Sequence, residues 1–256
     1  MNYKMVYIIG VQRSGTSSLA HLLSYNDNIL SCLHVAPFFE TYNQFKTFLI
    51  DSKGHWASPK TEFYNISPFS DYQDRKKKRI DFPCLCVKND EGEFAYIDKF
   101  VNMDGTGKVL LIYNVRDSLF STYKSWVRWQ KKDMSIGFEI RVRRSFEYMN
   151  KIFPLVESGL VDLCCFSFFC EHEVMKERAR KLMNTIGFPL SNMQERFLDA
   201  KIKVARTRGK YDRELVNMYY DIPNIEILEE NYNFLIGQVD NGLIKKINFK
   251  EIPNNG

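Results

Sequence analysis

The 256-residue chain lacks long apolar runs and paired metal-binding motifs, and each absence excludes a class of protein. No apolar run reaches the roughly 18 residues that a membrane helix needs, so the sequence predicts no membrane span. The apolar start of the chain runs directly into a glycine turn, which indicates a first strand and not a signal peptide. No C-x-x-C pair is present, which argues against a common zinc site. We interpret the six cysteines as reduced, mostly buried thiols of a cytoplasmic protein.

Positive charge exceeds negative charge only slightly, with a net charge of +5. Two basic runs, at 74–81 and 200–213, are interpreted either as solvated loops or as attraction for an anionic cofactor or acceptor. No nucleic-acid-binding motif accompanies them, so nucleic acid is not a predicted partner. The length fits a single domain over 1–256, and 45% apolar with 26% charged residues is typical of globular proteins.

Short apolar segments alternate with amphipathic segments, which predicts an α/β fold with a mostly parallel central sheet flanked by helices. The apolar segments are continuous, as expected of strands buried on both faces. The stretch at 51–82 is the least regular, and we interpret it as an acceptor-side insertion or lid that carries specificity. The predicted strands are 5–10, 83–88, 108–115 and 161–169, and the predicted helices are 16–25, 117–131, 137–154, 172–186 and 211–219.

The segment VYIIGVQRSGTSSLAHLL at 6–23 predicts a strand, a tight loop and a helix, as in a phosphate-binding loop. Gly10 and Gly15 keep the spacing of the Walker A pattern, but Thr16 stands where its lysine belongs. Backbone N–H groups and the helix dipole meet at such a loop, so an anion is expected there. The alternative is a simple capped helix after a turn, which the preceding apolar strand makes less favourable. Arg13 supplies positive charge, and the hydroxyl donors are Ser14, Thr16, Ser17 and Ser18.

The stretch GVQRSGTSSLAHLL resembles the 5′-phosphosulfate loop of sulfotransferases that use 3′-phosphoadenylyl sulfate (PAPS). It is most similar to the P-R-S-G-T-T form of tyrosylprotein and bacterial members, with Gln12 replacing the usual proline. The resemblance implies a three-layer, P-loop-NTPase-like sulfotransferase fold. It also implies PAPS as donor, adenosine 3′,5′-bisphosphate as product and no metal. The implied cofactor-binding residues of this loop are Arg13, Ser14, Gly15, Thr16, Ser17 and Ser18.

A second signature of the same family is an arginine after a strand, with a serine eight residues later, both at the 3′-phosphate. Arg116 in LLIYNVRDSLFSTYKSWVRW (110–129) matches the arginine, but position 124 is a lysine. Lys124 can itself pair with a phosphate as a point charge, and Ser121 and Ser125 are its alternatives. The resemblance implies further cofactor contacts for Arg128, and for Arg208 and Gly209 in the late loop ARTRGKY at 205–211.

Sulfuryl transfer needs a base for the acceptor's proton and positive groups at the leaving oxygen. The segment LHVAPFFETYNQFKTF (33–48) resembles the part of heparan N-sulfotransferases and tyrosylprotein sulfotransferases that carries the catalytic glutamate, so Glu40 is the expected base. Its alternative interpretation is an exposed carboxylate at a helix start. Asp90 and then His34 are the next choices for the base. Lys88 and Arg13 are expected beside the leaving group or the sulfuryl group.

Two other functions stay open at this point. A metal-dependent small-molecule kinase or NTPase with a degenerate P-loop would need a Mg²⁺ ligand at the end of a neighbouring strand, where this chain has Asn114. A non-catalytic nucleotide-binding relative is the third hypothesis, since Lys124 departs from the family signature. The acceptor is likewise open among small metabolites, carbohydrates, peptide tyrosines and lipids.

Overall fold

The computed structural model describes residues 3–33, 39–51, 82–88, 97–130, 135–205 and 213–253. Their strands form one six-stranded sheet in the order β2-β3-β1-β4-β5-β6. All pairings are parallel except that of the two-residue β6, which runs antiparallel to β5. The strands are β1 (Met5–Ile9), β2 (Ile29–Leu33), β3 (Cys84–Lys88), β4 (Val109–Val115), β5 (Val161–Ser167) and β6 (Leu243–Ile244).

Helices cover both faces of this sheet. None of the helices in the described ranges combines the length and the apolar character needed to cross a membrane. These helices are α1 (Thr16–Ser24), α2 (Tyr42–Asp51), α3 (Ile97–Asn102), α4 (Leu119–Gln130), α5 (Ser135–Glu157), α6 (His172–Ile186), α7 (Asn192–Ala205), α8 (Arg213–Tyr220) and α9 (Ile225–Gly237).

Two apolar cores lie on opposite faces of the sheet, because successive strand residues point in opposite directions. Met5 and Tyr7 belong to one core, which α2 to α5, α8 and α9 cover. Val6 and Ile8 belong to the other, which α1, α6 and α7 cover. Burial on both faces explains why the strands read as continuous apolar runs. The architecture is therefore a three-layer α/β fold.

The four predicted strands and five predicted helices are all present, each end within three residues of its expected place. The sequence interpretation missed the strands β2 and β6 and the helices α2, α3, α7 and α9. The signal for α2 was present as a capping box, in which the Gln44 N–H donates to Thr41 Oγ1 and the Thr41 N–H donates to Gln44 Oε1, both at 3.2 Å. Of the predicted insertion at 51–82, only Asp51 and Phe82 lie within the described residues.

The six cysteines are free thiols, and the structure describes all of them. Five are buried and Cys170 is half-buried, which confirms the predicted burial. Burial raises the pKa of Cys86 and of Cys164 to about 12, so both remain protonated at neutral pH. A cytoplasmic location stays a prediction.

The order of the strands creates a topological switch point at the carboxyl edge of the sheet. From β1 the chain continues through α1 to β2 on one side, whereas from β4 it continues to β5 on the other side. The neighbours β1 and β4 therefore mark the point where the direction of winding reverses. In open α/β sheets, ligands bind outside the carboxyl ends of the strands at such a point. The loop at 10–15 lies here.

Candidate functional site

The loop between β1 and α1 follows a path that its glycines make possible. Gly10 has φ 155° and Gly15 has φ 105°, and both values favour glycine. A Cβ atom on Gly10 would lie 2.4 Å from the carbonyl oxygen of Asn114 and 2.7 Å from Ser14 Oγ. Arg13 also has a positive φ, 73°, which is unfavourable for a residue with a side chain. The loop and strand β4 are therefore in close contact. Because the left-handed conformation of Arg13 is unfavourable, other interactions must stabilise it.

Two side chains of β4 and its end hold consecutive carbonyl groups of the loop. Asn114 Nδ2 donates to the carbonyl of Ser14 at 2.7 Å. Arg116 Nη1 donates to the carbonyl of Arg13 at 3.2 Å. The two donors are two residues apart, so they project from the same face of the strand. These bonds explain how the left-handed conformation of Arg13 is maintained.

Arg116 is itself fixed by its neighbours. Its backbone N–H donates to Tyr232 Oη of α9 at 2.8 Å, and its guanidinium carbon lies 4.1 Å from the ring centroid of Phe169. Burial raises the pKa of Tyr232 to about 12, so the phenol stays protonated at neutral pH. The arginine predicted at a phosphate site thus lies against the loop with its direction constrained from three sides.

The hydroxyl groups predicted for the loop differ in exposure. Ser14 and Thr16 are buried, Ser18 is half-buried and Ser17 is exposed. The Ser14 side chain is 0% exposed, and its Oγ has no hydrogen-bond partner among the described residues. This hydroxyl lies against Gly10, 2.7 Å from the position that a Cβ atom on that glycine would take. A buried hydroxyl without a partner is unusual and requires an explanation, which an anion bound by the loop would provide.

The start of α1 is electrostatically suited to an anion. The Leu19 N–H donates to the carbonyl of Gly15 at 3.1 Å, so the helix N–H groups before it point out of the helix end. The first turn of α1 contains no acidic residue. The positive end of the helix dipole therefore faces the loop without a competing carboxylate on this turn.

Lys88 lies at the same edge of the sheet as the loop. It is the last residue of β3 and pairs with Ile8 of β1, directly before the loop. Lys88 is only 3% exposed, and lysines are rarely buried to this extent unless they are paired. By alternation with Cys86 of the second core, Lys88 projects toward the face that α1 covers. The structure thus brings Lys88 to the carboxyl edge of the sheet, and its role at the leaving group stays a prediction.

The remaining predicted cations of this region lie on α4. Lys124 is half-buried, and its Nζ lies 5.3 Å from the ring centroid of Phe120, one turn earlier. Arg128 is exposed in the last turn, roughly 14 Å along the helix axis from Leu119. Ser121 and Ser125, the alternatives to Lys124, are half-buried on the same helix. Lys124 is therefore nearer than Arg128 to the end of α4 that follows Arg116.

Glu40 is not brought to the loop. The Asp104 N–H donates to the carbonyl of Glu40 at 2.9 Å, and the Tyr42 N–H donates to the carbonyl of Asp104 at 2.8 Å. Tyr42 Oη donates at 3.0 Å to the carbonyl of Lys4, the residue before β1. Lys4 and Asp104 both precede strands, so Glu40 lies at the amino edge, about 17 Å from the carboxyl edge. Its side chain is exposed, which agrees with the alternative interpretation of this residue.

Four predicted site residues lie outside the described residues. They are two of the three candidate bases, His34 and Asp90, and the two late-loop residues, Arg208 and Gly209. In the sequence, His34 directly follows β2 and Asp90 comes two residues after β3.

Sequence reasoning did not assign a binding role to three residues that the structure brings to the site: Asn114, Tyr232 and Phe169. Asn114 carried a signal, since it is the one polar side chain in the apolar strand VLLIYNV. Tyr232 carried none, because it lies 116 residues from Arg116 along the chain.

No group of three or more histidine, cysteine, aspartate or glutamate side chains is placed to hold a metal ion within the described residues. The chain matches none of the models of known protein families, and no curated protein is detectably similar to it.

Proposed function

We propose that this protein is a sulfotransferase that transfers the sulfuryl group of PAPS to a hydroxyl or amine of an acceptor. The observation that carries the proposal is the contact between the loop at 10–15 and β4. There, an arginine side chain and a buried amide hold two consecutive loop carbonyls at the switch point of the sheet. Such a loop, opening a helix without acidic residues in its first turn, is built to bind an anionic group.

The residues of the loop fit a phosphate or phosphosulfate group. Gly10 and Gly15 allow the positive φ values and the close approach to β4 that the loop requires, and the buried Ser14 hydroxyl has no partner among the described residues. The exposed Arg13 and Ser17 extend the positive and donor groups toward solvent. In this proposal they bind the 5′ side of the nucleotide, and Arg116 with Lys124 binds its 3′-phosphate.

The reaction breaks the bond between sulfur and the phosphate oxygen and forms a bond between sulfur and the acceptor oxygen or nitrogen. The acceptor loses a proton, and negative charge grows on the leaving phosphate oxygen. Arg13 and Lys88 are the cations at the carboxyl edge that stabilise this charge in our proposal. Cations that are already in place before the reaction stabilise this charge without reorganisation during the transfer.

The base needs a position beside the loop, and Glu40 lies at the opposite edge of the sheet. We therefore do not assign the base to Glu40 in this proposal. His34 and Asp90 follow β2 and β3 in the sequence and are the variants to compare with it. Glu40→Gln is expected to retain turnover, whereas loss of turnover with unchanged nucleotide binding would restore Glu40 as the base.

Thermal unfolding distinguishes a sulfotransferase from a kinase or NTPase. Adenosine 3′,5′-bisphosphate at about 100 times its Kd is expected to stabilise the protein by about 2.7 kcal/mol. For a chain of this size that corresponds to a rise in Tm of roughly 5–10 °C. Stabilisation by ATP with Mg²⁺ but not by the bisphosphate would refute the sulfotransferase and favour the kinase. Binding of the bisphosphate without transfer to any acceptor class would favour the non-catalytic relative.

An arginine variant locates the nucleotide. Arg116→Gln is expected to remove most of the stabilisation by the bisphosphate, because it deletes a charged donor. The matched control is Arg180→Gln on α6, a half-exposed arginine whose ion pair with Glu177 lies on the protein surface. The control is expected to keep the full thermal shift. Transfer of labelled sulfate from PAPS to a mixed panel of phenols, sugars, lipids and peptides would then identify the acceptor.

A further inference from the structure

Asn114 is a buried polar residue that the proposed reaction does not explain. It lies near the end of β4, between the apolar residues Tyr113 and Val115, and is 0% exposed. Its Nδ2 donates to the carbonyl of Ser14 at 2.7 Å. Its Oδ1 has no hydrogen-bond partner among the described residues. Burying an acceptor in this way is unfavourable, so the residue contributes something other than stability.

The bond to Ser14 fixes the orientation of a whole peptide group. In a trans peptide the C=O and the next N–H point in opposite directions. Because the carbonyl of Ser14 points at Asn114, the N–H of Gly15 must point away from β4. Arg116 acts in the same way on the preceding peptide, whose Ser14 N–H donates to the carbonyl of Val11 at 2.9 Å. Only the second of these two N–H groups is thereby left for a ligand.

We propose that Asn114 is a positioning residue that aims the Gly15 N–H at the anion bound by the loop. The inference rests on the proposed function in that it requires an anion in the loop. The Ser14 hydroxyl, buried and without a partner among the described residues, lies against Gly10 of the same loop. The amide of Asn114 is required because a carboxylate has no donor for the carbonyl of Ser14 and would place negative charge beside the anion.

Two substitutions separate positioning from general stability. Asn114→Asp keeps the shape of the side chain but replaces the donor with a charged acceptor. Asn114→Leu keeps the branching at Cγ, with two methyl groups in place of the amide, and it removes both the donor and the unsatisfied Oδ1. The matched control is Asn26→Asp, because Asn26 is 2% exposed and its Nδ2 also donates to a carbonyl, that of Pro189, at 3.0 Å. Asn26 follows α1 at the end remote from the loop.

The experiment measures Kd for adenosine 3′,5′-bisphosphate and for inorganic pyrophosphate by calorimetry, below the Tm of every variant. Both Asn114 variants are expected to bind each anion at least about tenfold more weakly, equivalent to ~1.4 kcal/mol. Asn26→Asp is expected to lower Tm but to leave both Kd values within about twofold. In the wild type, the ¹⁵N-labelled Gly15 amide signal is expected to shift when either anion binds, and this shift is expected to disappear in Asn114→Leu.

The two anions separate this inference from the proposed function. If the wild type binds pyrophosphate but not the bisphosphate, the sulfotransferase proposal fails, and weaker pyrophosphate binding by the Asn114 variants still supports the positioning role. If both Asn114 variants bind the bisphosphate as the wild type does, the positioning role is refuted and the proposed function stands. If the wild type binds neither anion, both are refuted.

Discussion

Replacing Tyr232 with phenylalanine tests how the C-terminal helix α9 supports the site. Four groups form a continuous chain of hydrogen bonds. The Arg116 N–H donates to Tyr232 Oη at 2.8 Å, and Tyr232 Oη and Thr122 Oγ1 are 3.2 Å apart. Thr122 Oγ1 also lies 3.3 Å from the carbonyl of Ser118, which can only accept. The threonine hydrogen therefore goes to Ser118, and the phenol donates to Thr122.

The magnitude follows from which groups lose a partner. In Tyr232→Phe, Thr122 keeps its bond to Ser118, whereas the Arg116 N–H loses the acceptor. A fully buried donor without a partner is unfavourable by about 1–3 kcal/mol; Arg116 is half-buried, so about 2 kcal/mol is the largest loss that we expect. A loss of about 2 kcal/mol lowers Tm by roughly 4–8 °C in a chain of this size. The removed atom leaves little empty volume, so the lost hydrogen bond dominates the effect.

Urea and thermal unfolding of Tyr232→Phe, compared with Tyr220→Phe, measure this loss. Tyr220 is 62% exposed, so its variant is expected to stay within about 0.5 kcal/mol of the wild type. Tyr232→Phe is also expected to weaken binding of adenosine 3′,5′-bisphosphate several-fold, because the backbone of Arg116 directs its guanidinium. A Tyr232→Phe protein as stable as the Tyr220→Phe control would show that the phenol does not hold the Arg116 N–H.

Two further predictions concern the sheet and the loop. Burial opposes ionisation of Asp162, but hydrogen bonds from Tyr3 and Lys108 outweigh it and lower the pKa of the carboxyl. Asp162→Asn should therefore lower the free energy of unfolding above about pH 4, the ordinary pKa of an aspartate. The difference in free energy from the wild type should shrink as the pH falls below this value. A difference that does not change with pH would contradict this prediction. Gly10→Ala should lower Tm and abolish stabilisation by the bisphosphate, because its Cβ atom would lie 2.4 Å from a backbone oxygen of β4. Gly237→Ala at the end of α9, where nothing lies within 4 Å, is the control and should neither lower Tm nor weaken stabilisation by the bisphosphate.

The central strands and the loop could be predicted from the sequence because their causes are local. A strand buried on both faces must be apolar along its length, which identifies Met5–Ile9 and Val109–Val115. The glycine spacing reports positive φ values, which the structure has at Gly10 and Gly15. These features depend on residues within a few positions of one another. Local sequence therefore predicted the strands and the loop of the site, but not the distant residues that hold them, such as Tyr232.

The position of Glu40 shows where local reasoning ends. A segment resemblance placed it beside the leaving group, yet the chain after β2 reaches the amino edge of the sheet, where Asp104 pairs with it. That pairing joins residues 64 positions apart, so no periodicity or spacing near Glu40 encodes it.

Asn114 is the opposite case, because its sequence context already indicated a contact. A single polar residue in an apolar strand is unfavourable unless a partner requires it, so its presence already indicated a contact at the end of β4. The structure identifies that contact as the carbonyl of Ser14. Buried polar residues in otherwise apolar strands are thus a better guide to this site than an acidic residue that a segment resemblance singles out.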